Sequence, residues 1–107
     1  MRQITPADLQ AWLLDPGRPA PELLDVREPW ELAICVLPGS VHIPMRQIPA
    51  GMARLDPSRE TVVVCHHGAR SMQVAGFLES NGFVNVSNLA GGLAAWASSV
   101  DVEMASY

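Results

Sequence analysis

The run Thr61-Val62-Val63-Val64-Cys65 is apolar on almost every successive residue. That is the pattern of a strand covered on both faces, and it demands a sheet with layers above and below it. A helical pattern follows over Met72 to Asn81, where Val74, Ala75, Phe77 and Leu78 form one face. Gly82 suits the position after that helix, and Phe83 is expected to fold back on Leu78. The same alternation recurs along the chain. Thr5-Pro6-Ala7-Asp8 reads as a helix start, with Leu9, Trp12 and Leu13 on one face. Glu22 to Val26 is a short strand, Trp30 to Ile34 a helical turn, and Val41 to Pro44 another short strand. Arg46 to Leu55 is weakly helical, Val84 to Leu89 a last strand, and Leu93 to Ala97 a final short helix. Strands alternating with helices predict an α/β domain, its sheet mainly parallel with helices on both faces. In such sheets sites form at the carboxyl ends of strands, where Cys65 and the segment after Val26 both lie.

With 107 residues the chain is read as one domain, 1–107, with a tail loosely held from about Ser98. Every basic residue is Arg, and the net charge of −4 gives no footprint for nucleic acid or an anionic membrane. Apolar runs reach about five residues, short of the roughly 20 that span a bilayer. The first residues, Met1 to Pro6, hold no apolar signal core. Cys35 and Cys65 have neither C-x-x-C spacing nor companions enough for a structural zinc site. A cytoplasmic, reducing setting and a monomer are expected, without metal or cofactor.

Cys65 opens the stretch His66-His67-Gly68-Ala69-Arg70-Ser71. A thiol at a strand end, then a tight turn, then Arg and Ser at a helix start is the layout of an anion-binding nucleophile. Inward N–H groups and the helix dipole favour thiolate, the reactive form. A buried core cysteine is the bland alternative, but polar His66-His67, a Gly68 that lets the backbone turn tightly and Arg70 five positions on argue against it. Arg70 is placed to face an anion at the sulfur, or to pair with Asp25 or Glu28. Ser71 is either a helix N-cap or a donor to the sulfur. His66 and His67 are adjacent on a tight turn, so a metal pair is not expected, and the loop removes the need for a general base. Cys35 reads as core, with a resolving thiol as the sharper idea. Trp12, Trp30 and Trp96 read as packing residues.

Four stretches together carry a family resemblance. Leu24-Asp25-Val26-Arg27-Glu28-Pro29-Trp30-Glu31 comes first, then Pro38-Gly39-Ser40-Val41-His42-Ile43-Pro44, then Cys65 to Ser71, then Ala90-Gly91-Gly92-Leu93-Ala94-Ala95-Trp96. In this order, across Leu23 to Trp96, they resemble a single-domain rhodanese, a sulfurtransferase family. The resemblance implies a five-stranded parallel sheet and a catalytic cysteine that accepts sulfane sulfur as a persulfide. By position that cysteine is Cys65, and His66, His67, Gly68, Ala69, Arg70 and Ser71 are the loop that binds substrate around it. Cys35-Val36-Leu37 departs from the Gly-His-Ile usual before the Pro-Gly turn, and is read as structural.

The activity implied is transfer of sulfur from a small anionic donor such as thiosulfate to cyanide or a thiol. Arg70 is expected to orient the donor. One alternative is a carrier module loaded with persulfide by a sulfur-relay partner protein. The other is a phosphatase or arsenate reductase. Phosphatases that share the fold place five residues between Cys and Arg, whereas four separate Cys65 from Arg70 here. The smaller cradle suits one extra sulfur atom rather than a phosphate.

Overall fold

A computed structural model describes residues 1–107 as one five-stranded sheet with helices on both sides. Its strands are β1 (Arg2–Ile4), β2 (Glu22–Asp25), β3 (Val41–His42), β4 (Thr61–Val64) and β5 (Val86–Leu89). They lie in the order β1-β5-β4-β2-β3, and every neighbouring pair is parallel. The helices are α1 (Pro6–Leu14), α2 (Pro29–Leu32), α3 (Ile48–Gly51), α4 (Ala69–Ser80) and α5 (Gly92–Ser99), with 3₁₀ turns on either side of α3. No helix is long and apolar enough to cross a membrane.

β4 is the central strand, which is why its sequence is apolar without alternation. Val63 and Cys65 point into a layer with Leu24, Val26, Ile43, Ile48, Val74, Ala75 and Leu78, beneath α3 and α4. Val62 and Val64 point the other way, toward Leu9, Trp12, Leu93 and Trp96 of α1 and α5. Each such side chain contributes about 1.5–3 kcal/mol by leaving water. Because all strands run the same way, the segments that follow β2, β3, β4 and β5 emerge at one edge of the sheet.

Local signals in the sequence explain several ends. Thr5 Oγ1 accepts from the Asp8 N–H at 3.1 Å, and Pro6 is the first helical residue of α1. Phe83 donates its N–H to Leu78 O at 3.1 Å and shares the layer with Leu78, closing α4 as its sequence suggests.

Four details differ from the sequence expectations. β1 was not anticipated: three mostly exposed residues carry no period of their own and are ordered by pairing with β5. α4 begins at Ala69 instead of Met72, because the turn at Gly68 leads straight into helix. Trp30 is 62% exposed and so does not serve the core, unlike Trp12 and Trp96. The segment after Ser98 makes contacts that its sequence does not announce. Val100 and Met104 rest against the α1/α5 layer, and the Tyr107 hydroxyl is hydrogen-bonded to Arg27 and Glu31.

Candidate active site

Cys65 follows β4 directly and is 1% exposed. Three groups converge on its sulfur: the Gly68 N–H at 3.0 Å, the Ser71 N–H at 3.4 Å and Ser71 Oγ at 3.2 Å. Backbone donors fixed around a sulfur in this way are placed to hold negative charge there, or on one further sulfur bonded to it. Gly68 makes the arrangement possible. Its φ of +100° turns the chain from strand into helix within three residues of Cys65, a conformation strained for any residue with a Cβ. Gly68, not Ser71, is the residue before the first turn of α4; the Ser71 N–H, and not its hydroxyl proton, is what Ser71 turns toward the sulfur.

The loop is held from behind by residues the sequence reading did not single out. Asn88, buried on β5, accepts the Ser71 hydroxyl at Oδ1 and donates from Nδ2 to Gly68 O at 3.2 Å and to Gln3 Oε1 at 3.0 Å. Ser71 has a single hydroxyl proton, so donation to Asn88 leaves its oxygen to accept from a Cys65 thiol, whereas a thiolate would compete for that proton. At the start of α5, Leu93 N–H donates to Cys65 O at 2.9 Å and Ala94 N–H to His66 O at 3.0 Å. These two bonds fix the carbonyls of Cys65 and His66. Within Ala90-Gly91-Gly92, one of the stretches that carry the resemblance, it is Gly92 that lets α5 come so close to those carbonyls.

Arg70 does not meet Asp25 or Glu28. Its Nη1 and Nη2 lie 2.6 and 2.8 Å from the two carboxylate oxygens of Glu31, a bidentate pair. Asp25 is taken by Arg27, whose Nε and Nη2 reach it at 2.9 and 2.7 Å, both side chains fully buried. Glu28 is taken by Arg46 at 3.3 Å. Glu31 also accepts from the Glu28 N–H at 2.9 Å, within a capping box on α2, and from the Tyr107 hydroxyl at 2.6 Å. The Arg70 hydrogen bond above all, against the cost of burial, holds the Glu31 carboxyl down at about 2. The guanidinium of Arg70 is pushed up correspondingly by Glu31.

His66 and His67 stand edge to face with ring centres 4.0 Å apart. The Tyr107 ring lies against His66, also at 4.0 Å, and meets Trp30 edge-on at 5.6 Å. Burial, then the neighbouring His67, pushes the His66 imidazole below its ordinary range, and its Nδ1 is buried without a hydrogen-bond partner. Cys35, His66, His67, Ala94 and Tyr107 line a small cavity of about 120 Å³. Cys35 is half-buried, with Sγ 3.8 Å from Arg27 Nη1. It packs against the α1/α5 layer, whereas Cys65 belongs to the α3/α4 layer on the other side of the sheet.

Comparison with known proteins shows the family. The rhodanese-like domain matches residues 5–99. A chloroplastic rhodanese-like/PpiC domain-containing protein 12 of Arabidopsis thaliana is 43% identical over 80% of this chain, which spans only 30% of that longer protein. A sulfurtransferase of Allochromatium vinosum is 40% identical over 70% of this chain and 70% of its own length. The crystal structure of a Staphylococcus saprophyticus protein, SSP1007, superimposes with a TM-score of 0.84 at 33% identity, covering 94% of this chain and 97% of that one. Further relatives carry the names sulfurtransferase and sulfur carrier protein. With its five-stranded parallel sheet and its cysteine loop at the carboxyl edge, the chain belongs to the rhodanese-like domain family, whose chemistry is sulfur transfer.

Proposed function

We propose that this chain is a sulfurtransferase that carries a sulfane sulfur as a persulfide on Cys65. The observation that supports it most is the convergence of the Gly68 N–H and the Ser71 N–H on one sulfur. In the first step the Cys65 thiolate attacks the outer sulfur of a donor, thiosulfate being the simplest. The donor's S–S bond breaks, sulfite leaves with the bonding pair, and Cys65 carries –S–S⁻. In the second step cyanide or a thiolate attacks that terminal sulfur. With cyanide, thiocyanate forms and the Cys65 thiolate returns, so charge and atoms balance. The loop's N–H groups hold the negative charge in every state.

A second reading has support in the names of relatives that include a putative sulfur carrier protein. On that reading a partner protein loads Cys65, and the domain passes the sulfur on. The same loop serves both. The phosphatase reading is the weaker one, because the four residues between Cys65 and Arg70 make a short cradle.

The test is the intact mass of reduced protein after brief exposure to thiosulfate and, separately, to a small persulfide. One added sulfur, mapped to Cys65, removed by cyanide and absent from Cys65→Ala, is the expected result. No adduct with either donor, or an adduct that persists in Cys65→Ala, would overturn the assignment. Turnover with free donors, compared with loading by a cysteine desulfurase, separates enzyme from carrier.

A further inference from the structure

Three arginines lie in the segments that leave β2, β3 and β4 at the carboxyl edge, and each already has a carboxylate. Arg27 holds Asp25, Arg46 holds Glu28 and Arg70 holds Glu31. The chain has no Lys to add an unpaired cation. The cation of the loop itself, Arg70, is paired bidentately. Both its terminal nitrogens meet one carboxylate, and that carboxylate is buried and pinned by the Glu28 N–H and the Tyr107 hydroxyl. A donor that needed Arg70 would have to displace a bidentate partner that two other groups hold in place, in a setting where salt screens little.

We infer that Glu31 determines the donor class, by neutralising Arg70 and so turning the Cys65 site toward persulfides and away from dianionic thiosulfate. The inference rests on the sulfur-transfer reading above and narrows its donor. Charge decides the matter. Thiosulfate brings two negative charges to a thiolate, and the Arg70–Glu31 pair offers no net charge to offset them. A persulfide brings one at most, as R–S–S⁻, and none as R–S–SH. The Cys65 thiolate attacks the terminal sulfur of R–S–SH, the S–S bond breaks, R–S⁻ leaves and the proton stays on the transferred sulfur as Cys65–S–SH, so one negative charge enters the step and one leaves it. Tyr107 acts through Glu31 as a positioning residue, since its hydroxyl spans Glu31 and Arg27.

The decisive variant is Glu31→Gln, which keeps an oxygen for the Glu28 N–H, turns an amide NH2 toward Tyr107 and removes the charge from beside Arg70. Sulfur loading of Cys65 is followed by mass with three donors: thiosulfate, the singly charged methanethiosulfonate ion, and the persulfide of a neutral thiol. The ratio of thiosulfate to persulfide loading rates should rise on the order of tenfold in the variant, with methanethiosulfonate between them. The gain should appear chiefly in KM. An unchanged ratio, with loading intact, overturns the inference and leaves the sulfur-transfer reading standing. Failure of every donor on both proteins overturns that reading itself. A second measurement needs no variant: the salt dependence of thiosulfate loading on the wild-type protein. A flat or rising dependence is expected where no free cation draws the dianion in. A steep fall with salt would show that Arg70 is available after all, and would overturn the inference.

Discussion

Gly92 and Cys65 approach so closely that a Cβ on Gly92 would stand 2.5 Å from the Cys65 carbonyl oxygen, and 2.4 Å from that of His66. Both neighbours are backbone, which cannot swing aside as a side-chain end can. Gly92 also has a φ of +61°, outside the usual range of residues with a side chain. The Cys65 loop and the start of α5 are therefore a single packed unit, joined by the Leu93 and Ala94 N–H bonds to the same two carbonyls.

Gly92→Ala should accordingly act on the loop before it acts on the fold. A methyl at this point pushes the Cys65 and His66 peptides away and moves the sulfur relative to the Gly68 and Ser71 N–H groups. A displacement near 1 Å is enough to lower sulfur loading by on the order of 10²-fold. The stability cost should be about 1–3 kcal/mol, from the strained backbone. Thermal melting and the mass-detected persulfide check the two effects. A variant that loads Cys65 at the normal rate would show that the loop does not depend on α5.

Arg70→Met should slow the sulfur in a way that Glu31→Gln repairs. Removing the guanidinium leaves the Glu31 carboxylate, itself nearly without solvent, as an uncompensated charge beside the loop. Alkylation of Cys65 at neutral pH should fall by about tenfold, the scale of one nearby like charge. The double variant should recover most of that loss, because the offending charge has gone. Equal rates in the single and double variants would mean that the Arg70–Glu31 pair does not act on the sulfur.

The same pair has a stability signature in acid. Glu31 titrates at about 2 in the folded protein against an ordinary 4.5. A carboxyl held down by folding contributes stability that is fully present above the unfolded value and disappears as pH falls through the folded one. Wild type should therefore exceed Glu31→Gln by on the order of a few kcal/mol near neutrality. The gap should close between about 4.5 and 2, the range over which Glu31 takes up its proton. Melting temperatures across that window test it, and a gap unchanged at the acid end would refute the assignment.

What the sequence made legible was local. β4, the loop and α4 are one continuous stretch, so an apolar run, a glycine and the following helical period already describe them. Residues 24–31 and 90–96 were legible as segments but not as contacts. Arg70 was expected to find Asp25 or Glu28, since both lie near a neighbouring strand end. Which carboxylate it meets depends on Arg27, buried and already holding Asp25, and on Arg46, which holds Glu28. Glu31 is what remains, brought inward by the capping box on α2. Asn88 had no signal at all, because a polar residue inside a strand pattern looks like a solvated position until β5 is placed beneath the loop. The tail after Ser98 has no period of its own. Its order comes from single contacts, above all those of Tyr107.

Tyr107 is the one tyrosine in the chain, so its ionisation can be followed by absorbance without interference from another phenol. Burial is the main cause that pushes it up to about 12 from 10.0, with the Arg27 hydrogen bond pulling the other way. A phenol raised by folding contributes stability that is complete below the unfolded value and is lost as pH rises through the folded one. The tail should thus stay docked to about 10 and loosen toward 12, with the phenolate signal appearing in that upper range. Tyr107→Phe removes the hydroxyl from Glu31 and Arg27 while keeping the ring on His66, and should cost about 1–2 kcal/mol. Tyr107→Ala removes the ring as well. It should let water reach His66, so the imidazole, held low mainly by burial, should move back up toward its ordinary 6.5. A proton-resonance titration of His66 distinguishes the two variants. If Tyr107→Ala leaves the His66 midpoint where it is in the wild type, the tail does not cover the loop, and the ordinary phenol midpoint should be found as well.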